Sequence, residues 1–250
     1  MRPVFIFCLI LYPFLFALPQ DVSSLIKEGD RLESIPDEKA AFHKFREVLK
    51  LQPLNIYAVN KCSELCSRIG QRQTDPKVRD DYYHAAKTYA GLALKINPHN
   101  SEANCLMGMV LGRSSMTRSG KEKIQNAREI KKYVDLSIKF DARNFKAWHI
   151  LGRWHYEITN LNFIEKAAVK VLYGGVPAAS LKESIHAFEK VRAIVPGFIL
   201  NYLEMAKAYM QNGQKEKAIA YLNVMLSLPI QTEDDAAIQQ QGRKLLKEWR

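Results

Sequence analysis

The sequence predicts an all-α chain built as a stack of helical hairpins and closed by a C-terminal helix. Three observations lead there. Five short stretches recur, each closing an apolar helical pattern and most carrying a proline: KLQPLN (50–55), KINPHN (95–100), KFDARN (139–144), IVPGFI (194–199) and SLPIQ (227–231). Apolar residues recur at steps of three and four, as from Leu92 to Ile96 and from Ala41 to Phe45, while alternating strand patterns are scarce. The prolines fall mostly where a helix must stop, since the ring removes an N–H and clashes with the preceding turn.

One repeat register accommodates all five stretches. With Pro53, Pro98, Ala142 and Pro196 as anchors, the intervals are 45, 44 and 54 residues. A tetratricopeptide hairpin takes about 34 residues and ends near such a proline, so each unit is a lengthened version of that hairpin. The first hairpin, 22–53, places Leu25, Gly29 and Leu32 against Ala41, Phe45 and Val48. The second, 54–98, places Val59, Cys62, Ser63 and Cys66 against Ala86, Ala90 and Ala93. The third, 99–142, places Met107, Gly108 and Leu111 against Ile130 and Val134, with Ala142 in the place of the proline. The fourth, 143–196, sets Trp148, Leu151, Gly152 and His155 against Ser184, Phe188 and Val191. The fifth, 197–230, sets Tyr202, Met205, Ala206 and Tyr209 against Ala218, Leu222 and Met225. A capping helix over 232–250 is expected to start at Thr232, because Thr232 and Asp235 are spaced as a capping pair. The expected domain therefore runs from 22 to 250, a tetratricopeptide-like solenoid that grows by stacking.

Residues 1–21 differ in kind. Arg2 precedes an apolar run from Val4 to Leu18 with Pro13 inside it. That length lies between a signal-peptide core and a membrane-spanning helix. Cleavage after Ala17 would have Leu15 at the third upstream position, which is not small. An uncleaved membrane anchor at 4–18 and a secretory signal both remain open. Beyond Cys8 there are only Cys62, Cys66 and Cys105, an odd number for a disulfide framework. Cys62 and Cys66 fall at two core positions of one helix, which reads as packed thiols more readily than as metal ligands. Asn-x-Ser/Thr acceptor sites are absent, which favours a cytosolic domain.

The runs NAREIKKYVD (126–135), WHILGRWHYE (148–157), VLYGGVPAAS (171–180), PGFILNYLEMAKAYMQNGQKEKA (196–218) and LPIQTEDD (228–235) resemble the regulator of microtubule dynamics family. Its specific marks are Leu-Gly-x-Trp-x-Tyr-Glu at 151–157, Tyr-Gly-x-x-Pro at 173–177 and Pro-Gly-Phe at 196–198. The resemblance implies a tetratricopeptide-like fold, association with microtubules and the mitotic spindle, and no catalysis. It also implies, for some members, a hydrophobic N-terminal segment on an organelle membrane facing the cytosol.

Charge supplies a physical counterpart. The net charge is +11, and residues 121–153 hold nine Lys/Arg against four Asp/Glu. At 100° per residue, Lys121, Arg128, Lys132 and Lys139 fall within about 20° of one line on the second helix of the third hairpin. Ile124, Ile130, Val134 and Ile138 lie beside and opposite, free to pack inward. Such a stripe would attract an acidic polymer such as the tails of tubulin, or simply be a solvated face. Nucleic acid is not expected, because the stripe lacks interleaved aromatics and no recognition motif accompanies it.

The segment NLNFIEKAAVKVLYGGVPAA (160–179) lengthens the fourth hairpin. Taken as a helix, Leu161, Ile164, Ala168, Val171 and Leu172 line one face before Gly174, Gly175 and Pro177 break it. It either packs to close the solenoid groove or lines a pocket for an acyl chain or a partner helix. Trp154 suits either core or groove, and Trp148 sits at a packing position. No catalytic site, cofactor or metal is expected. The six histidines form no His-Glu-x-x-His motif, His155 fits a satisfied core position, and Gly174-Gly175 lacks the following Lys-Ser/Thr of a phosphate loop. The function expected is a non-catalytic, microtubule-associated scaffold, either free or membrane-tethered, with an unidentified protein ligand in its groove. A lipid-binding or lipid-transfer tether at organelle contacts and a secreted or lumenal adaptor are the alternatives.

Overall fold

The computed structural model describes residues 21–115, 121–161, 165–167, 170 and 178–250, with backbone alone at 115 and 121–124. The apolar run 4–18 and most of the 160–179 segment, including Ile164, Ala168 and Leu172, lie outside the described residues. Among the described residues there are eleven α-helices and no strand. They are α1 (Val22–Ser34), α2 (Glu38–Leu51), α3 (Ile56–Gln71), α4 (Pro76–Ile96), α5 (Ser101–Ser115), α6 (Lys121–Phe140), α7 (Phe145–Thr159), α8 (Leu181–Ile194), α9 (Ile199–Gln211), α10 (Lys215–Ser227) and α11 (Asp235–Trp249).

Helix starts are written in the sequence by capping side chains. Asn55, Asn100 and Asn144, the last residues of the first three recurring stretches, accept the N–H of Ala58 (3.1 Å), Ala103 (2.8 Å) and Ala147 (3.1 Å). Each stretch thus ends one hairpin and begins the next, since the cap satisfies an otherwise orphaned donor. Asp21, Asp37, Asp75 and Ser180 cap α1, α2, α4 and α8 in the same way. The fourth stretch breaks the pattern: Phe198 stands at the N-cap of α9 without a side-chain bond.

Consecutive helices pair as antiparallel hairpins: α1 with α2, α3 with α4, α5 with α6, α7 with α8 and α9 with α10, while α11 covers α9 and α10. Each pair packs on the next through α2–α3, α4–α5, α6–α7 and α8–α9. The odd-numbered helices also touch directly, α3 with α5, α5 with α7 and α7 with α9, which puts them on the inside of the curve. The core is correspondingly segmented. One cluster holds Leu25, Phe45, Val48 and Leu65, another Leu106, Val134 and Trp154, and a third Phe188, Met205, Leu222 and Leu246. Among the described residues the core has no single centre, as expected when each unit buries its apolar face against its neighbours.

Close approach within hairpins depends on small residues. A Cβ on Gly29 would lie 2.7 Å from Phe45, and one on Gly152 would lie 2.7 Å from Phe188. Buried hydroxyls tie two crossings: Ser63 Oγ donates to the carbonyl of Ala86 and Ser184 Oγ to that of Gly152, both at 2.8 Å.

One boundary is corrected. The last helix begins at Asp235, not at Thr232. The Asp235 carboxylate turns back and accepts the N–H groups of Gln231 (2.9 Å) and Thr232 (2.8 Å), so residues 232–234 form a turn before the helix. His155 is also less satisfied than expected: it is buried at 7% exposure, and its Nδ1 has no hydrogen-bond partner among the described residues.

Candidate functional site

The odd helices carry most of their charge on the inside of the curve, where ion pairs cross from one helix to the next. On the first hairpin, Glu33 accepts from Lys61 (2.7 Å) and Arg68 (3.0 Å) of α3, and Lys61 also lies 3.6 Å from Asp30. Lys146 of α7 holds two carboxylates, Glu64 of α3 and Glu102 of α5, each at 2.7 Å. Glu204 of α9 faces Lys207 at 3.0 Å and Arg153 of α7 at 4.0 Å. Burial works to raise the Glu64 carboxyl, but Lys146 overcomes it, with Arg68 and Lys61 adding, so it is held below the usual range. Burial likewise works against the Lys146 charge, and Glu64 and Glu102 more than restore it. The concave face is therefore largely neutralised by its own charges.

One contact joins the two ends of the array. Arg72, just beyond α3, donates from Nη1 to both carboxylate oxygens of Asp234 at 3.2 Å, while its Nη2 lies 3.3 Å from Glu233. The same guanidinium pairs with Glu38 at the start of α2, and Arg68 approaches Glu38 from the other side. Glu38 is 1% exposed, and its own N–H donates to Glu233 at 3.3 Å. The turn before α11 is thus fastened to the first two hairpins, closing the curve.

The predicted basic stripe lies on α6. Arg128, Lys132 and Lys139 are exposed, whereas Lys121 is placed by backbone only, at the first residue of the helix. Lys132 is 3.8 Å from Glu129, too long to neutralise it fully, and its ammonium sits 5.6 Å over the Tyr133 ring. Ile130 and Val134 are buried beneath and Ile138 is half-buried. The flanking outer helices add exposed Lys87 and Lys95 on α4 and Lys182 and Lys190 on α8, none with a carboxylate within 4 Å among the described residues.

Of the residues offered as groove contacts, Trp154 and Leu161 are among the described ones. Trp154 is 5% exposed, packed with Leu106 and Val134, and its Nε1 donates to the carbonyl of Ala127 at 2.7 Å. It is a core residue that fastens α7 to α6. Leu161 is half-buried just past α7. Trp148 is half-buried, and its indole donates at 2.9 Å to the carbonyl of Ala142, the residue standing where the other units have proline. Sequence reasoning missed the cross-helix ion pairs and the Arg72 contact. Their partners are 28 to 195 residues apart, with no local spacing to betray them.

Chemically reactive groups are muted. Burial pushes the thiols of Cys62 and Cys66 up to about 12, and Cys105 is raised too, so all three are packed as thiols. Among the described residues no His/Cys/Asp/Glu group could hold a metal, and no helix is long and apolar enough to cross a membrane. His149 is buried on α7 with Nδ1 3.2 Å from Asn201 Oδ1, and burial, aided by Arg153, pulls its imidazole down to about 4.

Comparison with solved structures agrees with the fold. A thermophilic TPR protein of Thermus thermophilus superposes with a TM-score of 0.67 at 11% identity, over 91% of this chain and 100% of that one. PilW, a widely conserved type IV pilus biogenesis factor, gives 0.57 at 17% identity, over 92% of this chain and 91% of the other. Among curated proteins, regulator of microtubule dynamics protein 2 of Bos taurus is 26% identical over 92% of this chain and 55% of its own length. Protein 2 of Rattus norvegicus is 26% identical over 69% of this chain and 42% of its own. Protein 3 of Xenopus laevis is 26% identical over 86% and 47% respectively, so the chain spans about half the length of the curated relatives it matches. The sequence profile of the family described as regulator of microtubule dynamics protein 1-3 matches residues 25–250. With that match running from the first hairpin through the capping helix, the chain belongs to the regulator of microtubule dynamics family.

Proposed function

We propose that this protein is a non-catalytic, microtubule-associated scaffold that meets the acidic surface of the filament with its outer helices. The observation that carries the proposal is the contrast between the two faces. On the inner helices Lys61 and Lys146 are half-buried and paired across the groove, while on the outer face Arg128, Lys132 and Lys139 are exposed on α6, Lys132 beside Glu129 at 3.8 Å, between exposed lysines of α4 and α8. A surface of one sign attracts a polyanion at long range, and the attraction is screened by salt. The relatives' names, regulators of microtubule dynamics, support a filament of tubulin as that polyanion. In this reading the inner face takes a protein ligand whose polar groups exchange with the existing ion pairs. Residues 4–18 serve as a retained membrane tether, with the array facing the cytosol.

Co-sedimentation of the full chain with polymerised tubulin across a salt series tests the proposal. Binding should be strong at low salt and fall steeply towards 1 M, where the Debye length is only about 3 Å. Microtubules with their acidic tails removed should bind weakly at any salt. Amino-terminal sequencing of the mature protein tests the tether, and a start near Leu18 or Asp21 would contradict it.

A further inference from the structure

The first hairpin leaves one of its ends uncovered. α1 and α2 run antiparallel, and Val22, Leu25, Val48 and Leu49 pack in one cluster, so the start of α1 and the end of α2 lie at the same end of the hairpin. The turn that follows α2 is fixed by its own bonds: the N–H of Gln52 donates to the Val48 carbonyl (2.8 Å) and that of Asn55 to the Gln52 carbonyl (3.0 Å). Leu51 enters this turn at 54% exposure, Leu54 stands in it at 67%, and Tyr57 follows at 41%. Of the seven large hydrophobic side chains exposed among the described residues, three thus fall between 51 and 57, which makes a patch rather than scatter.

The later turns of the array do not repeat it. The places of Leu51 and Leu54 are taken there by Ile96 and His99, by Phe140 and Arg143, and by Ile194 and Gly197. Ile96, Phe140 and Ile194 are all half-buried. Phe140 shows one way this is achieved, since the His99 ring of the preceding turn lies 4.9 Å from its own. Leu51 stands in the first turn and has no preceding one to cover it. Lys50 beside it and Lys95 at the next turn are both exposed, and Glu47, the nearest acid along α2, is held by Lys44 at 2.9 Å.

Chain length decides what lies opposite this turn. Three residues, Pro19, Gln20 and Asp21, separate the apolar run ending at Leu18 from Val22. Fully extended, that link spans no more than about 14 Å. Packed helices such as α1 and α2 lie about 8–10 Å apart. A run held in a bilayer therefore keeps this end of the first hairpin close against the lipid.

We propose that the α2–α3 turn docks on the bilayer surface, with Leu51 and Leu54 entering the boundary between headgroups and acyl chains and Lys50 and Lys95 meeting anionic headgroups. The inference rests on the reading of residues 4–18 as a tether and adds the face by which the array is oriented. Apolar insertion and the attraction of cations to an anionic leaflet act together at such an interface. The opposite end of the hairpin, where Ile35 is 55% exposed, then points into water.

The test uses the full chain carrying Cys8→Ala, since Cys62, Cys66 and Cys105 are buried, with a nitroxide attached at Gln52→Cys or, as the control, at Ile35→Cys. The chain is reconstituted with vesicles of phosphatidylcholine and phosphatidylserine. Flotation reports whether the vesicles hold the chain, and collision with a water-soluble nickel chelate is then measured at each label. At position 52 collision should fall at least about threefold on binding, as for a group about 5–10 Å into the boundary, while at 35 it should not change. Adding Leu51→Ser and Leu54→Ser should restore collision at 52 with flotation kept and, both sites being exposed, with the fold intact. A floating chain whose label at 52 collides as freely as the one at 35 would overturn the docking and leave the tether standing. Failure to float would overturn both. Shielding at 52 that is already complete without vesicles would mean that protein covers the turn, a second copy or residues 1–20, and would also overturn the docking.

Discussion

Gly152 and Phe188 meet across the α7–α8 crossing so tightly that a Cβ on the glycine would stand 2.7 Å from two carbons of a fully buried ring. The same relation joins Gly29 to Phe45 in the first hairpin. Gly152→Ala should therefore destabilise by about 1–3 kcal/mol through overpacking, although alanine is the better helix former by about 1 kcal/mol. Phe188→Ala should cost about 3–5 kcal/mol. Gly91 on α4 is the control: its Cβ would meet only Met107 Cε at 3.9 Å, so Gly91→Ala should be neutral or stabilising by up to about 1 kcal/mol. Urea unfolding of the three variants checks the set.

Lys146 links three inner helices through two carboxylates at 2.7 Å. Lys146→Ala leaves Glu64 partly buried and unpaired, which should cost about 2–4 kcal/mol, just under the range for fully buried pairs. Removing Glu102, whose partner keeps Glu64, should cost less. A double-mutant cycle on the two positions measures the coupling.

Arg72 fastens the turn at 233–234 to the first two hairpins. Arg72→Ala should release that turn, so amide exchange should rise in residues 231–250 and at the α1–α2 turn while α7 and α8 keep their protection. Uniform change along the chain would mean that the contact does not set the closure.

Much of this architecture is legible locally. The stretches at 50–55, 95–100 and 139–144 mark hairpin ends through proline or its equivalent, and in the structure their final asparagines cap the next helix. Small residues at 29, 108 and 152 face apolar side chains of the paired helix. What is not legible depends on curvature. Lys146 reaches Glu64 across 82 residues and Arg72 reaches Asp234 across 162, distances set by how the hairpins wind. Trp154 is ambiguous in sequence because helical spacing tells which face a residue occupies but not whether a neighbouring hairpin covers it; α6 does, through the Ala127 carbonyl. Thr232 misleads because its Asp235 partner caps a turn and starts the helix three residues later.

His149 gives the fold a pH dependence of known sign. Its folded value, about 4, is below the ordinary value of 6.5, so the unfolded chain binds the extra proton between those limits. Stability is full above about pH 6.5 and falls as pH drops towards 4, by about 2 kcal/mol between pH 7 and pH 5 from this group. His149→Gln keeps a partner for Asn201 and removes the titration, so its unfolding free energy should fall less than the wild type's over that range.

The central claim is that the outer face of α6 meets an acidic filament. Changing Lys121, Arg128, Lys132 and Lys139 to Glu alters local charge by eight units at positions where each substitution should shift stability by no more than about 0.5 kcal/mol. Circular dichroism and urea unfolding establish that the variant is folded, and co-sedimentation with microtubules at low salt is then the decisive measurement. Loss of pelleting by the folded variant, with the wild type pelleting and releasing as salt rises, is the result predicted. Undiminished pelleting of the folded variant would contradict the claim and take the α6 stripe out of the interaction.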